Sequence, residues 1–276
     1  NYKIDKINLS SGDQKIIFFG SYKSFDNMDI NLKLEKVLLE NILPKNIRIE
    51  TKGEVNLDFY VNRNNGLDRS KGDLIINKLV INKYGYGDFE LNFNSIPENK
   101  KYILNSFVKK DDFNNMMAYG DLLFSDEKIS SDIKIELSDF SLSFLSKIGV
   151  NKIEKIKGDI SGNVNLVGDI YNPELHGKLK LKNSSLYIPY TNTEYKFKDL
   201  SIVSLSGQQF VFEKIVFNDL DYKTEALLSG KISHKNFNNW NLDLNVNSSN
   251  ILLINKKFER KAIFYGKSFL DGKIQL

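Results

Sequence analysis

Apolar and polar residues alternate with period two along most of this chain. Leu175, Leu179 and Leu181 oppose His176, Lys178, Lys180 and Lys182, and Val164 and Leu166 oppose Asn163 and Asn165. Period two places such sets on opposite faces of a β-strand. The same reading gathers Val55, Leu57 and Phe59 on one face. It does likewise for Ile133, Ile135 and Leu137, for Ile160 with Val164 and Leu166, and for Leu242, Leu244 and Val246. Many runs open on a Gly-charged-apolar triplet: Gly53-Glu54-Val55, Gly72-Asp73-Leu74, Gly87-Asp88-Phe89, Gly120-Asp121-Leu122, Gly158-Asp159-Ile160, Gly168-Asp169-Ile170, Gly177-Lys178-Leu179, Gly230-Lys231-Ile232 and Gly272-Lys273-Ile274. Glycine at the head of each run predicts a turn at positive φ before a new strand. One strand, Phe210-Val211-Phe212-Glu213-Lys214-Ile215-Val216-Phe217, carries apolar residues at both parities and receives no face.

Helical signal is confined to Val37–Leu43, stopped by Pro44, and to Phe140–Leu145. β-branched and aromatic residues dominate elsewhere, separated by turn clusters such as Asn236-Phe237-Asn238-Asn239. The class is all-β. An internal repeat is also visible. Ile30-Asn31-Leu32-Lys33-Leu34 alternates, runs into Val37–Leu43 and restarts at Lys52-Gly53-Glu54-Val55. Ile133–Leu137, Phe140–Leu145 and Lys157-Gly158-Asp159-Ile160 repeat that order, and Leu242–Val246, Ile251–Ile254 and Gly272-Lys273-Ile274 repeat it again. Repetition of one supersecondary unit points to elements stacked along an axis rather than to a compact sandwich or closed barrel.

Composition narrows the function classes. With 39 basic and 35 acidic residues of mixed order, no basic block marks nucleic acid as a partner. The absence of cysteine excludes disulfides and thiolate metal sites. No run of about 18 apolar residues could span a membrane as a helix. The chain opens on Asn1 in mid-pattern and reads as a segment of a longer protein.

No motif supplies an active site. His176 lies on a lysine-bearing face and His234 precedes a turn, a poor metal set. Gly66-Leu67-Asp68-Arg69-Ser70 lacks the second glycine of a nucleophile elbow, and Gly85-Tyr86-Gly87 lacks the third glycine of a dinucleotide loop. Asp111-Asp112 and Asp219-Leu220-Asp221 read as solvated loop ends. The expectation is a protein that is not an enzyme, with no cofactor.

From Gly120 onward a resemblance becomes specific. Its residues are Ile156-Lys157-Gly158-Asp159-Ile160-Ser161-Gly162-Asn163-Val164-Asn165-Leu166-Val167-Gly168, Asn172-Pro173-Glu174-Leu175-His176-Gly177, Tyr195 with its aromatic run, Leu228-Ser229-Gly230-Lys231-Ile232-Ser233-His234 and Ile263-Phe264-Tyr265-Gly266-Lys267. In this order they resemble the C-terminal region of TamB-type translocation and assembly modules, in the Bacteroidota branch of the AsmA-like family. Residues 120–276 carry the match, and residues 1–119 follow it loosely through the repeat.

The resemblance implies an elongated, curled repeat β-sheet that forms an open, taco-like trough with an apolar concave face. An uncovered apolar face costs roughly 25 cal/mol per Å², so acyl chains are a fitting occupant. The residues expected to line the groove are Val55, Leu57, Phe59, Ile133, Ile135, Leu137, Ile160, Val164, Leu166, Leu175, Leu179, Leu181, Leu242, Leu244 and Val246. The bare alternation equally suits the core of a sandwich. The implied function is a bridge-like lipid carrier in the periplasm of a diderm bacterium, with an inner-membrane anchor outside this segment. The implied partners are a phospholipid or other acyl-chain lipid and an outer-membrane barrel of the BamA/TamA type, docked through Lys261–Gly266 or Gly272–Leu276. The alternatives are a scaffold for barrel insertion and a membrane β-barrel fragment.

Overall fold

The structure, a computed structural model, describes residues 2–44, 50–65, 67–125, 128–147, 154–258 and 263–276. The chain is all-β, with eighteen described strands of one antiparallel sheet. Contacts divide it into two compact units, residues 1–136 with 166–171, and residues 137–165 with 172–276.

In the first unit β1 (Tyr2–Ser11), β2 (Gln14–Ser24), β3 (Asn27–Leu38) and β4 (Thr51–Asn64) pair in succession. The two-residue β5 (Leu67–Asp68) pairs with the end of β4. β6 (Lys71–Ile81), β7 (Tyr84–Ile96), β8 (Lys101–Lys110) and β9 (Phe113–Phe124) continue the meander from β4. β10 (Ile129–Ser141) and β11 (Glu154–Asp169) each contribute residues to both units. The second unit adds β12 (Glu174–Ile188), β13 (Thr193–Phe197), β14 (Ile202–Gly207), β15 (Gln209–Asp219), β16 (Glu225–Lys235), β17 (Asn238–Lys256) and β18 (Gly266–Gln275). Here β12 pairs with both β13 and β14, and these in turn pair with β15, so two short strands share one position.

The helical expectations shrink to fragments. Helix α1 covers only Leu39–Ile42, and a 3-10 turn covers Leu142–Lys147. Val37 and Phe140, assigned above to helices, are extended.

The nine glycine triplets do not mark turns. Gly53, Gly72, Gly87, Gly120, Gly158, Gly168, Gly177, Gly230 and Gly272 all lie inside strands. Close approach between backbones explains much of this placement. A Cβ on Gly87, whose φ is +91°, would lie 2.0 Å from the Lys109 carbonyl oxygen on β8. Residues with side chains make the tight turns instead. Asn82-Lys83 (φ 52° and 71°), Asp111-Asp112 (50° and 66°) and Asn236-Phe237 (52° and 57°) each close a two-residue hairpin. Two positive φ values in succession match the twist of the flanking strands.

A second device breaks the alternation on purpose. Lys36, Lys78, Asp139, Asn183 and Lys214 sit within strands at φ between 47° and 61°. For Lys36, Lys78 and Lys214 the register shows an inserted residue, between Leu34 and Val37, Ile76 and Leu79, and Phe212 and Ile215. Such a bulge bends the strand and leaves one residue unpaired. In four of the five, a neighbouring strand or the loop after it accepts the orphan N–H. Asn56 Oδ1 takes that of Lys36 at 3.0 Å, Asp88 Oδ1 that of Lys78 at 2.8 Å, Ser161 Oγ that of Asp139 at 2.9 Å and Asp199 Oδ1 that of Asn183 at 2.6 Å.

Candidate functional site

Register joins the apolar parities of unit one into rows. Ile7, Phe18, Leu32, Phe59, Gly72, Phe93, Leu104 and Gly120 face one another in turn from β1 to β9. Leu9, Ile16, Leu34, Leu57, Leu74 and Leu91 form the next row. Past the bulges, Val37, Val55, Ile76, Phe89, Val108 and Met116 form a third. The interleaved parity is polar, as in Lys33–Asp58–Asp73–Asn92–Asn105. Among the described residues of this unit, strands contact their sheet neighbours, and α1 lies against β3 and β4. The middle row is accordingly half-buried to exposed, while Val37, Val55 and Val108 are buried.

Unit two repeats the arrangement. Gly177, Leu205, Phe210, Ile232 and Leu242 form one row, and Leu179, Val203, Phe212, Gly230 and Leu244 the next. The strand left without a face is settled by its bulge at Glu213-Lys214. Phe210 and Phe212 before it, and Ile215 and Phe217 after it, share the apolar face, because Ile215 pairs with Leu228 and Phe217 with Ala226. This face is covered in part. Leu142 of the 3-10 turn packs with Ile160, Leu181, Val203 and Ile215, and Tyr195, Phe217, Ala226 and Ile251 form a second cluster. Tyr195 satisfies its hydroxyl by donating to the Leu252 carbonyl at 2.9 Å.

The fifteen expected groove residues therefore fall into three states. Val55, Ile160, Val164, Leu181 and Leu244 are buried. Leu57, Phe59, Ile133, Ile135, Leu137, Leu166, Leu175, Leu179 and Val246 are half-buried. Leu242 is 47% exposed. Ile133 lies beside Gly120, whose added Cβ would approach its Cα at 2.8 Å. Lys261 and Ala262 of the expected docking edge lie outside the described residues, as does Gly66.

Alternation did not reveal a polar cluster at one rim of unit one. Arg63 Nε donates to Asp68 Oδ2 at 2.7 Å, and Arg63 Nη2 donates to the Tyr102 hydroxyl at 3.2 Å. The Tyr102 hydroxyl itself donates to Asp68 Oδ2, while the Ser70 hydroxyl and backbone N–H donate to Oδ1. Burial pushes the Asp68 carboxyl up, but the bonds from Ser70, Tyr102 and Arg63 outweigh it and hold the group below the usual carboxylate range. Burial and the Asp68 charge both raise the Tyr102 phenol. The Arg63 guanidinium stacks 4.1 Å above the Phe25 ring. Around this cluster opens a cleft of about 650 Å³, lined by hairpin ends of unit one together with Tyr171. The signal in the sequence was the segment Arg63 to Ser70, where charged residues interrupt the alternation between β4 and β6.

Asp219 differs from expectation, and His234, which does precede a turn, has surroundings the alternation did not show. Asp219 is no solvated loop end. It is 1% exposed and accepts from the backbone N–H groups of Tyr222 and Thr224 and from the Thr224 hydroxyl, closing the turn between β15 and β16. His234 is buried among Phe237, Trp240 and Phe210, with ring centroids 4.5, 5.0 and 5.6 Å away. Its Nδ1 accepts the Phe237 N–H at 3.1 Å, its Nε2 has no hydrogen-bond partner among the described residues, and burial lowers its pKa. His176, by contrast, is exposed beside Glu174 at 3.2 Å.

No family model matches the chain, and no solved structure matches it. An uncharacterized protein of Buchnera aphidicola subsp. Schizaphis graminum (strain Sg) is 26% identical over 244 residues. The match takes in 85% of this chain and 21% of that protein, so the chain spans about a fifth of its relative's length.

Proposed function

We propose that this chain shields lipid acyl chains, as a segment of a TamB-type bridge in a bacterial envelope. The observation that carries the reading is the set of apolar rows. Three rows run from strand to strand across unit one, with polar residues on the opposite parity. A sheet face of this kind needs a cover, since exposed apolar area costs about 25 cal/mol per Å². An acyl chain laid across the strands would contact successive residues of a row, as Leu34, Leu57, Leu74 and Leu91 are placed to do. The same sheet curled into a trough would hold those chains on its concave side and leave head groups toward water. No chemistry is asked of the protein in this role, so it is not an enzyme. By the same resemblance, its setting is the periplasm and its protein partner an outer-membrane barrel.

Leu57 and Asp58 provide the test, because they are adjacent in β4 and belong to opposite parities. A photo-crosslinking residue at position 57 should capture phospholipid in cells, and one at position 58 should not. Equal capture at both positions, or capture at neither, would refute the reading.

A further inference from the structure

We propose that one rim of unit two is a seat for an anionic bilayer surface, with its rings in the head-group layer and its lysines at the phosphates. The inference goes beyond the acyl-chain reading and is tested separately from it. The turn and strand-end segments 189–192, 220–224, 255–258 and 263–269 meet at this rim, and Asn255 ties them together. Its N–H donates to the Thr191 carbonyl at 2.9 Å and its carbonyl accepts from Asn192 Nδ2 at 2.6 Å. Its Nδ2 donates to Asp221 Oδ2 at 2.6 Å, and it pairs with Lys267 across the ladder.

These segments hold six aromatic residues, four lysines and one carboxylate, Asp221. Tyr190, Phe258, Ile263 and Tyr265 are between 60% and 92% exposed, so they face water rather than a core. The rings are held in pairs. Tyr190 meets Phe264 at 5.1 Å, Phe258 meets Tyr265 at 5.1 Å and Tyr222 meets Phe269 at 5.3 Å. Lysines stand over two of these pairs, Lys256 Nζ at 5.0 Å from the Phe264 ring and Lys267 Nζ at 5.1 Å from the Tyr222 ring. Lys223 and Lys257 complete the set, and none of the four lysines forms an ion pair among the described residues.

This composition selects the occupant. The buried core of a protein–protein contact is depleted in lysine, whereas here the lysines would be buried together with the rings. A bilayer takes both at once, because aromatic rings settle at the head-group level while ammonium groups reach lipid phosphates. Ile263, Phe264 and Tyr265 also lie outside any strand, before the start of β18. That part of the rim therefore offers side chains rather than ladder hydrogen bonds.

Flotation of the full chain with vesicles tests the seat. Vesicles of phosphatidylcholine with about 30 mol% phosphatidylglycerol should bind about tenfold more tightly than phosphatidylcholine alone, since each lysine near an anionic surface contributes about fivefold. Lys223→Glu with Lys257→Glu should remove most of that preference while the circular dichroism spectrum stays unchanged. Lys178→Glu with Lys180→Glu, the same charge change on the exposed parity of β12, should leave it in place. Fluorescence reads the orientation. Trp240, the single tryptophan, sits at the other end of β17 and should keep its emission, whereas Ile263→Trp should add a component that shifts to the blue on anionic vesicles.

Equal binding to both vesicles overturns the seat, as does a preference that survives reversal of Lys223 and Lys257 or is lost equally with Lys178 and Lys180. A shift at Trp240 with none at position 263 overturns it too. Failure to float with either vesicle overturns it in favour of a protein partner at this rim. None of these outcomes bears on phospholipid capture at position 57, which tests the acyl-chain reading.

Discussion

Phe59 and Phe93 meet above Gly72, with ring centroids 5.7 Å apart, because all three residues are directly opposite in neighbouring strands. Gly72 leaves the space that the Phe93 ring occupies. A Cβ placed there would lie 2.2 Å from Phe93 Cε1. A glycine that weakens a strand on its own thus allows an aromatic contact across it.

Gly72→Val should lower stability by about 1–3 kcal/mol, the usual range for overpacking. The backbone at Gly72 is not in the left-handed region, so the cost comes from the ring. Urea unfolding should show a lower midpoint, and Phe93→Leu in the same chain should recover part of it. An additive pair would place the cost elsewhere.

The bulge at Lys78 has its N–H held by Asp88 Oδ1 at 2.8 Å. Asp88→Ala should cost about 1 kcal/mol, the net worth of one hydrogen bond. Lys78→Gly should be tolerated at φ 53°, whereas Lys78→Val should cost about 1–2 kcal/mol more from its backbone conformation. Chemical denaturation of the three variants checks the order.

His234 predicts a pH window. Burial lowers its folded pKa below the ordinary 6.5, so between these values the unfolded chain binds the extra proton. Stability from this group is complete above about pH 6.5 and falls as the pH drops toward the folded value. His234→Phe loses the acceptor for the Phe237 N–H at every pH but should flatten this dependence. Urea midpoints at about pH 7.5 and about pH 5.5 should differ more in the parent chain than in the variant.

Leu179 and Lys180 are adjacent in β12, and Leu179 packs on the cluster of Ile160 and Leu181 while Lys180 is exposed. Leu179→Asp should cost several kcal/mol or open the cluster locally, and should reduce lipid capture by the chain. Lys180→Asp should be close to neutral in both thermal unfolding and capture. Equal tolerance at the two positions would remove Leu179 from the functional face.

The all-β class and the partition of each strand into two faces were legible in the sequence, because period two is a local property of extended backbone. Leu175, Leu179 and Leu181 share a parity whatever lies beside them. The strand from Phe210 to Phe217 shows where that logic ends. Its two parities exchange roles at Lys214, and only the bulge, φ 61°, reveals that Phe212 and Ile215 look the same way. An apolar-x-x-apolar step with Lys or Asp at the third position, as in Leu34–Val37 and Ile76–Leu79, was the available signal.

The glycines and the rim cluster depended on the neighbours. Gly87 looks like a turn residue alone and proves to be a point of close approach once Lys109 is beside it. Asp68 and Tyr102 are 34 positions apart, and only the stacking of β4 to β8 brings the carboxylate, the phenol and Arg63 into one network. The sequence by itself determined what each strand offers to either side, since that follows from local stereochemistry. Tertiary structure decided which offers meet, since register and bulges are set by pairing between strands and no single strand encodes them.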